Sequence, residues 1–164
     1  MASPFKKFVQ NWKNVFGGLE DPKNKDLLEL LAEEYLEEQK KAEQLTQHAQ
    51  ELRYRHLRDK LIEIAETEKR HAEKLRELIR KLGGTLPEQK PQISEKGTKP
   101  TFQKLIEDLE EENDSYWEIL ETLFNAEEKG HTELIPELKK MRDEEARLRN
   151  ELLDILQVTN PYTL

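Results

Sequence analysis

The chain has 164 residues, enough for one domain with a core, and it is acidic, with a formal net charge of −8. Because a protein that binds phosphates needs a basic face, this charge argues against a nucleic-acid partner. The sequence has no cysteine, which excludes disulfides, thiolate zinc sites and iron–sulfur clusters. Charged residues make up 38% and apolar residues 35%, a mix typical of long amphipathic helices with charged outer faces.

Residues 1–20 are predicted to form a short amphipathic segment ahead of the main domain. Its apolar side is aromatic and its polar side carries lysines: Phe5, Phe8, Trp12 and Phe16 against Lys6, Lys7 and Lys13. We expect this segment to pack on its own domain or on a second copy of the chain, which predicts a homo-oligomer, a dimer. Binding to a membrane surface or to another protein is the alternative.

No apolar run approaches the ~18–20 residues that a bilayer-spanning helix needs, so we expect no transmembrane segment. The N-terminus also lacks the unbroken apolar stretch of a signal peptide. A cytoplasmic protein is therefore the expectation.

After this segment, apolar residues recur at steps of three and four, which predicts helices. The first helix is expected to begin at Asp21-Pro22, an N-cap followed by proline, and to end at Leu52. The apolar pattern then changes phase, which predicts a turn near residues 53–56. A second helix follows and ends at Gly83-Gly84, because glycine accepts the left-handed conformation of a helix stop.

A polar, proline-containing linker over residues 85–101 separates this helical hairpin from a second one. Thr101 is expected to cap a third helix that runs to about Ala126. A turn at Gly130 then leads to a fourth helix over residues 132–156.

The linker is long enough to run along the side of a bundle, since an extended chain covers ~3.3 Å per residue. The sequence therefore predicts an all-α, four-helix bundle over residues 21–157 with one long crossover, followed by a tail over residues 158–164. One long crossover is typical of ferritin-like bundles.

One glutamate interrupts the apolar stripe of each predicted helix: Glu38, Glu68, Glu112 and Glu145. A buried carboxylate without a partner costs several kcal/mol, so four of them on core-facing stripes imply a cation among them. His71 follows Glu68 by three residues. Because residues i and i+3 share one face of a helix, this pair can bind one metal ion together.

The Glu-x-x-His pair, with one glutamate on each of the other helices, resembles the ferritin-like superfamily of di-iron carboxylate proteins, which includes rubrerythrins and bacterioferritins. The resemblance covers residues 26–156. It implies a ferritin-like bundle with iron, or mixed iron and manganese, as cofactor. The ligands that it implies are Glu38, Glu68, His71, Glu112 and Glu145.

The chain departs from the family pattern at two positions. Leu148 stands where the second Glu-x-x-His pair would have its histidine, and Ser115 stands where rubrerythrin-type sites have an additional glutamate. We therefore expect an asymmetric di-metal site, with one ion held at His71 and a weaker, oxygen-only ion near Glu145. A full rubrerythrin peroxidase is not expected, because the chain has no cysteines for a rubredoxin-like module.

Two functions are compatible with these residues. The first is a metal-binding protein, which as an enzyme would be a di-iron oxidoreductase of ferroxidase or peroxidase type that handles iron, oxygen or peroxide. The second is a non-catalytic structural or interaction bundle derived from such a protein. In that case a buried hydrogen-bond network around His71 replaces the metal, and Lys41 or an arginine neutralises the remaining charge.

Some neighbouring residues compete with the predicted ligands. Glu34 lies one turn before Glu38 and is the alternative inward-facing glutamate of the first helix. Glu111 and Glu144 lie about 100° away from the stripes of their helices and are expected in solvent. His48 lies ~15 Å along the helix from Glu38, so it is not expected to bind the same ion.

Overall fold

The computed structural model describes residues 24–88 and 99–160. Its four helices are α1 (Lys25–Glu51), α2 (Arg55–Lys81), α3 (Thr101–Glu128) and α4 (Ile135–Thr159). No strand occurs within these ranges, so the predicted all-α four-helix bundle is confirmed. The amphipathic segment predicted over residues 1–20 lies outside the described residues, as does most of the predicted tail. Within the described ranges, no helix combines the length and the apolar character needed to cross a membrane.

The inward stripes of the helices form two apolar clusters, one toward each end of the bundle. All four helices contribute to both clusters. The first contains Leu31, Leu75, Ile119 and Leu138, and the second contains Leu45, Leu61, Leu105 and Leu152. Each fully buried leucine or isoleucine stabilises the fold by about 1.5–3 kcal/mol. The burial of these two clusters offsets the unfavourable free energy of burying the charged side chains that lie between them.

Contacts between α1 and α3 fix their relative direction. Three pairs along their interface are Glu51 with Lys104, Gln44 with Asp108, and Lys40 with Glu111. Residue numbers fall along α1 as they rise along α3, so these two helices are antiparallel. α1 and α2 form a hairpin joined by residues 52–54. α2 and α3 therefore run in the same direction.

Most helix boundaries lie close to their predicted positions. Asn24 is the N-cap of α1, so this helix begins a few residues later than Asp21-Pro22 would place it. Gly83 and Gly130 both have φ of +76°, the left-handed conformation that glycine accepts without strain. The predicted cap at Thr101 was wrong. Pro100 occupies the N-cap of α3, and the Thr101 hydroxyl instead donates to Glu51 across the α1–α3 interface at 3.0 Å.

Candidate metal centre

A layer of charged side chains crosses the bundle between the two apolar clusters. We call it the polar layer, and its members are Glu38 and Lys41 of α1, Glu68 and His71 of α2, Glu112 of α3, and Glu145 of α4. None of these residues is more than 2% exposed. The structure thus buries in one layer, beside a lysine, all five residues that the sequence singles out as ligands, and it places ligand atoms of four of them, all except Glu112, close to one another.

The ammonium group of Lys41 contacts every glutamate of the polar layer. Its Nζ lies 3.1 Å from Glu38 Oε1, 3.1 Å from Glu68 Oε1, 3.3 Å from Glu145 Oε2 and 3.6 Å from Glu112 Oε2. Lys41 follows Glu38 by three residues, so both side chains share the inward face of α1. A buried lysine therefore supplies one of the cations that four buried carboxylates require.

His71 contacts three of the same glutamates through Nδ1. This nitrogen lies 2.8 Å from Glu145 Oε1, 3.3 Å from Glu68 Oε2 and 3.6 Å from Glu38 Oε2. The other ring nitrogen, Nε2, lies 2.6 Å from Glu144 Oε2. Because a carboxylate faces each nitrogen, the orientation of the imidazole ring is fixed from both sides.

Three glutamates divide their two oxygens between these two nitrogen groups. Glu38 and Glu68 each turn Oε1 toward Lys41 and Oε2 toward His71. Glu145 does the same with Oε2 toward Lys41 and Oε1 toward His71. The polar layer therefore has two adjacent positions for positive charge, and three carboxylates bridge them.

The electrostatics of the layer keep both nitrogen groups protonated in the metal-free protein. Burial disfavours the charged form of Lys41, but the four surrounding glutamates outweigh it and hold its pKa well above the usual value. Burial likewise opposes the imidazolium of His71. The nearby carboxylates of Glu145, Glu38 and Glu68 overcome that effect and raise the pKa of His71 to about 12.

Burial acts on the carboxyl groups in the opposite sense. It raises the pKa of Glu38 and of Glu112 well above the usual value, and neighbouring carboxylates raise both further. Burial would also raise the pKa of Glu68, but the Lys41 charge and the neighbouring polar groups of Glu38 and His71 hold it well below the usual value. Both shifts favour the protonated forms of Glu38 and Glu112, which reduces the negative charge that the cations must balance.

The surroundings of the layer differ from the sequence-based expectations at three glutamates. Glu144 was expected in solvent, but its side chain is only 26% exposed and reaches His71 from the edge of α4. Glu34 was the alternative to Glu38 as the inward-facing glutamate of the first helix. The structure buries both side chains, with exposures of 2% for Glu34 and 0% for Glu38. Glu111 is partly buried and accepts hydrogen bonds from Lys40 and Gln44.

His48 belongs to a separate network, in agreement with the expectation that it is not a ligand of this site. Its Nδ1 lies 2.6 Å from Asp108 Oδ2, and Gln44 donates to the other oxygen of Asp108 at 2.7 Å. Asp108 is buried, which was not expected from the sequence. Its position one turn before Glu112, on the same face of α3, is the signal that could have found it.

The donor set fits one metal ion at the His71 position. Single ligand atoms from Glu38, Glu68, His71 and Glu145 lie within 4.8 Å of one another. Ligands ~2.1 Å from a transition-metal ion are at most ~4.2 Å apart, so movements of under about 1 Å would close this set on one ion. Among the described residues, the oxygens of Glu38 and Glu68 meet the nitrogens of Lys41 and His71 as ion pairs without good hydrogen-bond geometry, which leaves their lone pairs available to a metal ion.

No protein-family model matches this chain, and no curated protein matches it. Among solved structures, the chain is similar to a crystal structure of a protein from Xanthomonas campestris pv. campestris. The two share 12% sequence identity with a TM-score of 0.72, and the match covers 83% of this chain and 92% of the other. This likeness shows that the two proteins share a fold.

Proposed function

We propose that this protein is a metal-binding, ferritin-like bundle whose centre holds one metal ion beside a lysine ammonium. The observation that carries the proposal is the division of oxygens by Glu38, Glu68 and Glu145 between two adjacent cation positions. Carboxylates that bridge two cations are typical of a dinuclear centre. Here Lys41 takes one position, and the position beside His71 Nδ1 suits a metal.

The donor set of three carboxylate oxygens and one imidazole nitrogen suits Fe²⁺ or Mn²⁺. Glu144 would accept the Nε2–H of His71 and leave the Nδ1 lone pair free for the ion, the usual arrangement of an outer carboxylate behind a metal-bound histidine. An iron ion held there would supply one-electron chemistry toward oxygen or peroxide. The protein's part is to bind the ion, orient the imidazole and exclude water.

This proposal narrows the expected asymmetric di-metal site to one ion. A second ion would need the oxygens that now contact the Lys41 ammonium. It would also lack a nitrogen donor from α4, because Leu148 is fully buried in an apolar cluster. The ferritin-like assignment is supported by the parallel direction of α2 and α3, which requires one long crossover between them.

Melting curves of the metal-free protein test the proposal. A ligand that binds only the folded state at a hundredfold excess over its Kd stabilises it by ~2.7 kcal/mol, which for a domain of this size raises Tm by roughly 8 °C. We expect this rise with anaerobic Fe²⁺ or with Mn²⁺, and its loss in His71→Leu. His131→Gln, which changes a histidine near the α3–α4 turn, is the matched control and should retain the rise.

A second candidate function is a purely structural or interaction bundle, and the four contacts of Lys41 favour it. In this case Lys41 and the protonated His71 supply two positive charges, the raised pKa values of Glu38 and Glu112 favour their neutral forms, and no ion is needed. Melting curves that superimpose with and without metal, in the parent and in both histidine variants, would establish this function and reject the metal centre.

A further inference from the structure

A second group of carboxylates lies along the α1–α3 interface beside the polar layer. We call it the acidic strip, and its members are Glu34 and Glu37 of α1 and Asp114 and Glu118 of α3. The antiparallel register set by Lys40 with Glu111 and by Gln44 with Asp108 places Glu37 opposite Asp114 and Glu34 opposite Glu118. Carboxylates therefore lie opposite carboxylates in two successive turns of the α1–α3 interface.

Elsewhere along this interface each carboxylate faces a hydrogen-bond donor of the other helix. Glu51 accepts from Lys104, Asp108 accepts from Gln44, and Glu111 accepts from Lys40. Facing like charges are unfavourable, so the change from donor–acceptor pairs to acid–acid pairs marks a place that gains from a cation.

Glu34 is the member of the strip that points to a ligand. Its side chain is 2% exposed, and its Oε2 has no hydrogen-bond partner among the residues that the structure describes. It lies one helical turn from Glu38 on the same face of α1, whereas Glu118 at the level of Glu34 is exposed. Burial, Glu118 and Glu38 all raise the pKa of Glu34, which is consistent with a carboxylate that lacks a cation.

We infer that the acidic strip is the path by which a divalent metal cation reaches the metal position beside His71, an inference that rests on the proposed function. Glu118 collects the ion from solvent, Glu34 holds it transiently, and Glu38 receives it one turn further on. The path uses carboxylates alone, so it selects for hard divalent cations and against anions.

Stopped-flow uptake of Co²⁺ by the metal-free full-length chain tests this inference, with release into EDTA as the reverse measurement. In Glu34→Gln we expect both the association and the dissociation rate to fall at least tenfold with Kd unchanged, because an ion enters and leaves by the same path. Glu118→Gln, at an exposed position, should slow both rates several-fold. Glu66→Gln, at an exposed α2 residue two positions before Glu68, is the control and should leave both rates unchanged.

Three results would overturn the inference. If the parent binds Co²⁺ and Glu34→Gln has parental rates, the ion enters elsewhere while the proposed function stands. If Glu34→Gln weakens Kd through faster dissociation, Glu34 is a ligand or a source of general attraction rather than a step on the path. If the parent binds no Co²⁺, the metal centre and the path both fail.

Discussion

At the scale of single residues, Lys41 is the buried cation that contacts all four glutamates of the polar layer. Removing one partner of a buried charge network leaves the others uncompensated and costs about 3–5 kcal/mol. We therefore expect Lys41→Met to lower the free energy of unfolding of the metal-free protein by about that amount in urea denaturation. Added Mn²⁺ should restore more stability in this variant than in the parent, since a second cation position has become free.

Lys40→Met is the matched control for this prediction. Lys40 is adjacent in sequence but lies partly exposed, and it pairs with Glu111 at 3.3 Å. Removing a partly exposed ion pair costs no more than about 1 kcal/mol. Equal losses in the two variants would mean that the Lys41 ammonium does not hold the layer together.

At the scale of the helices, the pKa shifts predict how stability depends on pH. The folded-state pKa of His71, about 12, lies above its ordinary value of 6.5. Its contribution to stability is thus fully present below pH 6.5 and is lost as the pH rises toward 12. Glu38 and Glu112, whose pKa values are raised, likewise lose their contribution to stability as the pH rises above about 4.5. Glu68, whose pKa is lowered, loses its contribution as the pH falls from about 4.5 toward that lowered pKa.

We therefore expect the free energy of unfolding of the metal-free protein to fall between pH 6.5 and 9.5, by at most about 1.4 kcal/mol per pH unit for each proton that only the folded state retains. His71→Gln should reduce this slope. The metal-dependent rise in Tm should instead grow with pH, because metal competes with protons for its ligands. Urea denaturation and melting curves at a series of pH values measure both trends, and a stability that rises with pH in the metal-free protein would contradict this account.

Features that depend on the pattern along a single helix could be predicted from the sequence. Glu38, Glu68, Glu112 and Glu145 were identifiable because each replaces an apolar residue on a regular inward stripe, and burial follows from that periodicity. The turns at Gly83 and Gly130 were identifiable because both need a positive φ. These features depend on local sequence, which is why they could be read before the structure.

Other features depend on which helix faces which, and periodicity along one helix does not carry that information. The contacts of Lys41 come from four helices, and a long charged side chain is equally compatible with the surface. Glu144 lies off its stripe, yet it reaches His71 because α4 packs beside α2. The acid–acid pairs of the acidic strip exist only in the register of α1 against α3.

At the scale of the whole molecule, two apolar clusters hold a charged layer in the middle of a four-helix bundle. The central claim is that this layer binds one metal ion per chain, with Lys41 in the place of a second. Anaerobic calorimetric titration of the metal-free chain with Fe²⁺, repeated with Mn²⁺, tests it most directly. The account predicts a stoichiometry of one ion per chain, with binding abolished in His71→Leu. A stoichiometry of two in the parent would show that Lys41 yields its place to metal, and a stoichiometry of zero would leave a structural layer of lysine, histidine and glutamate.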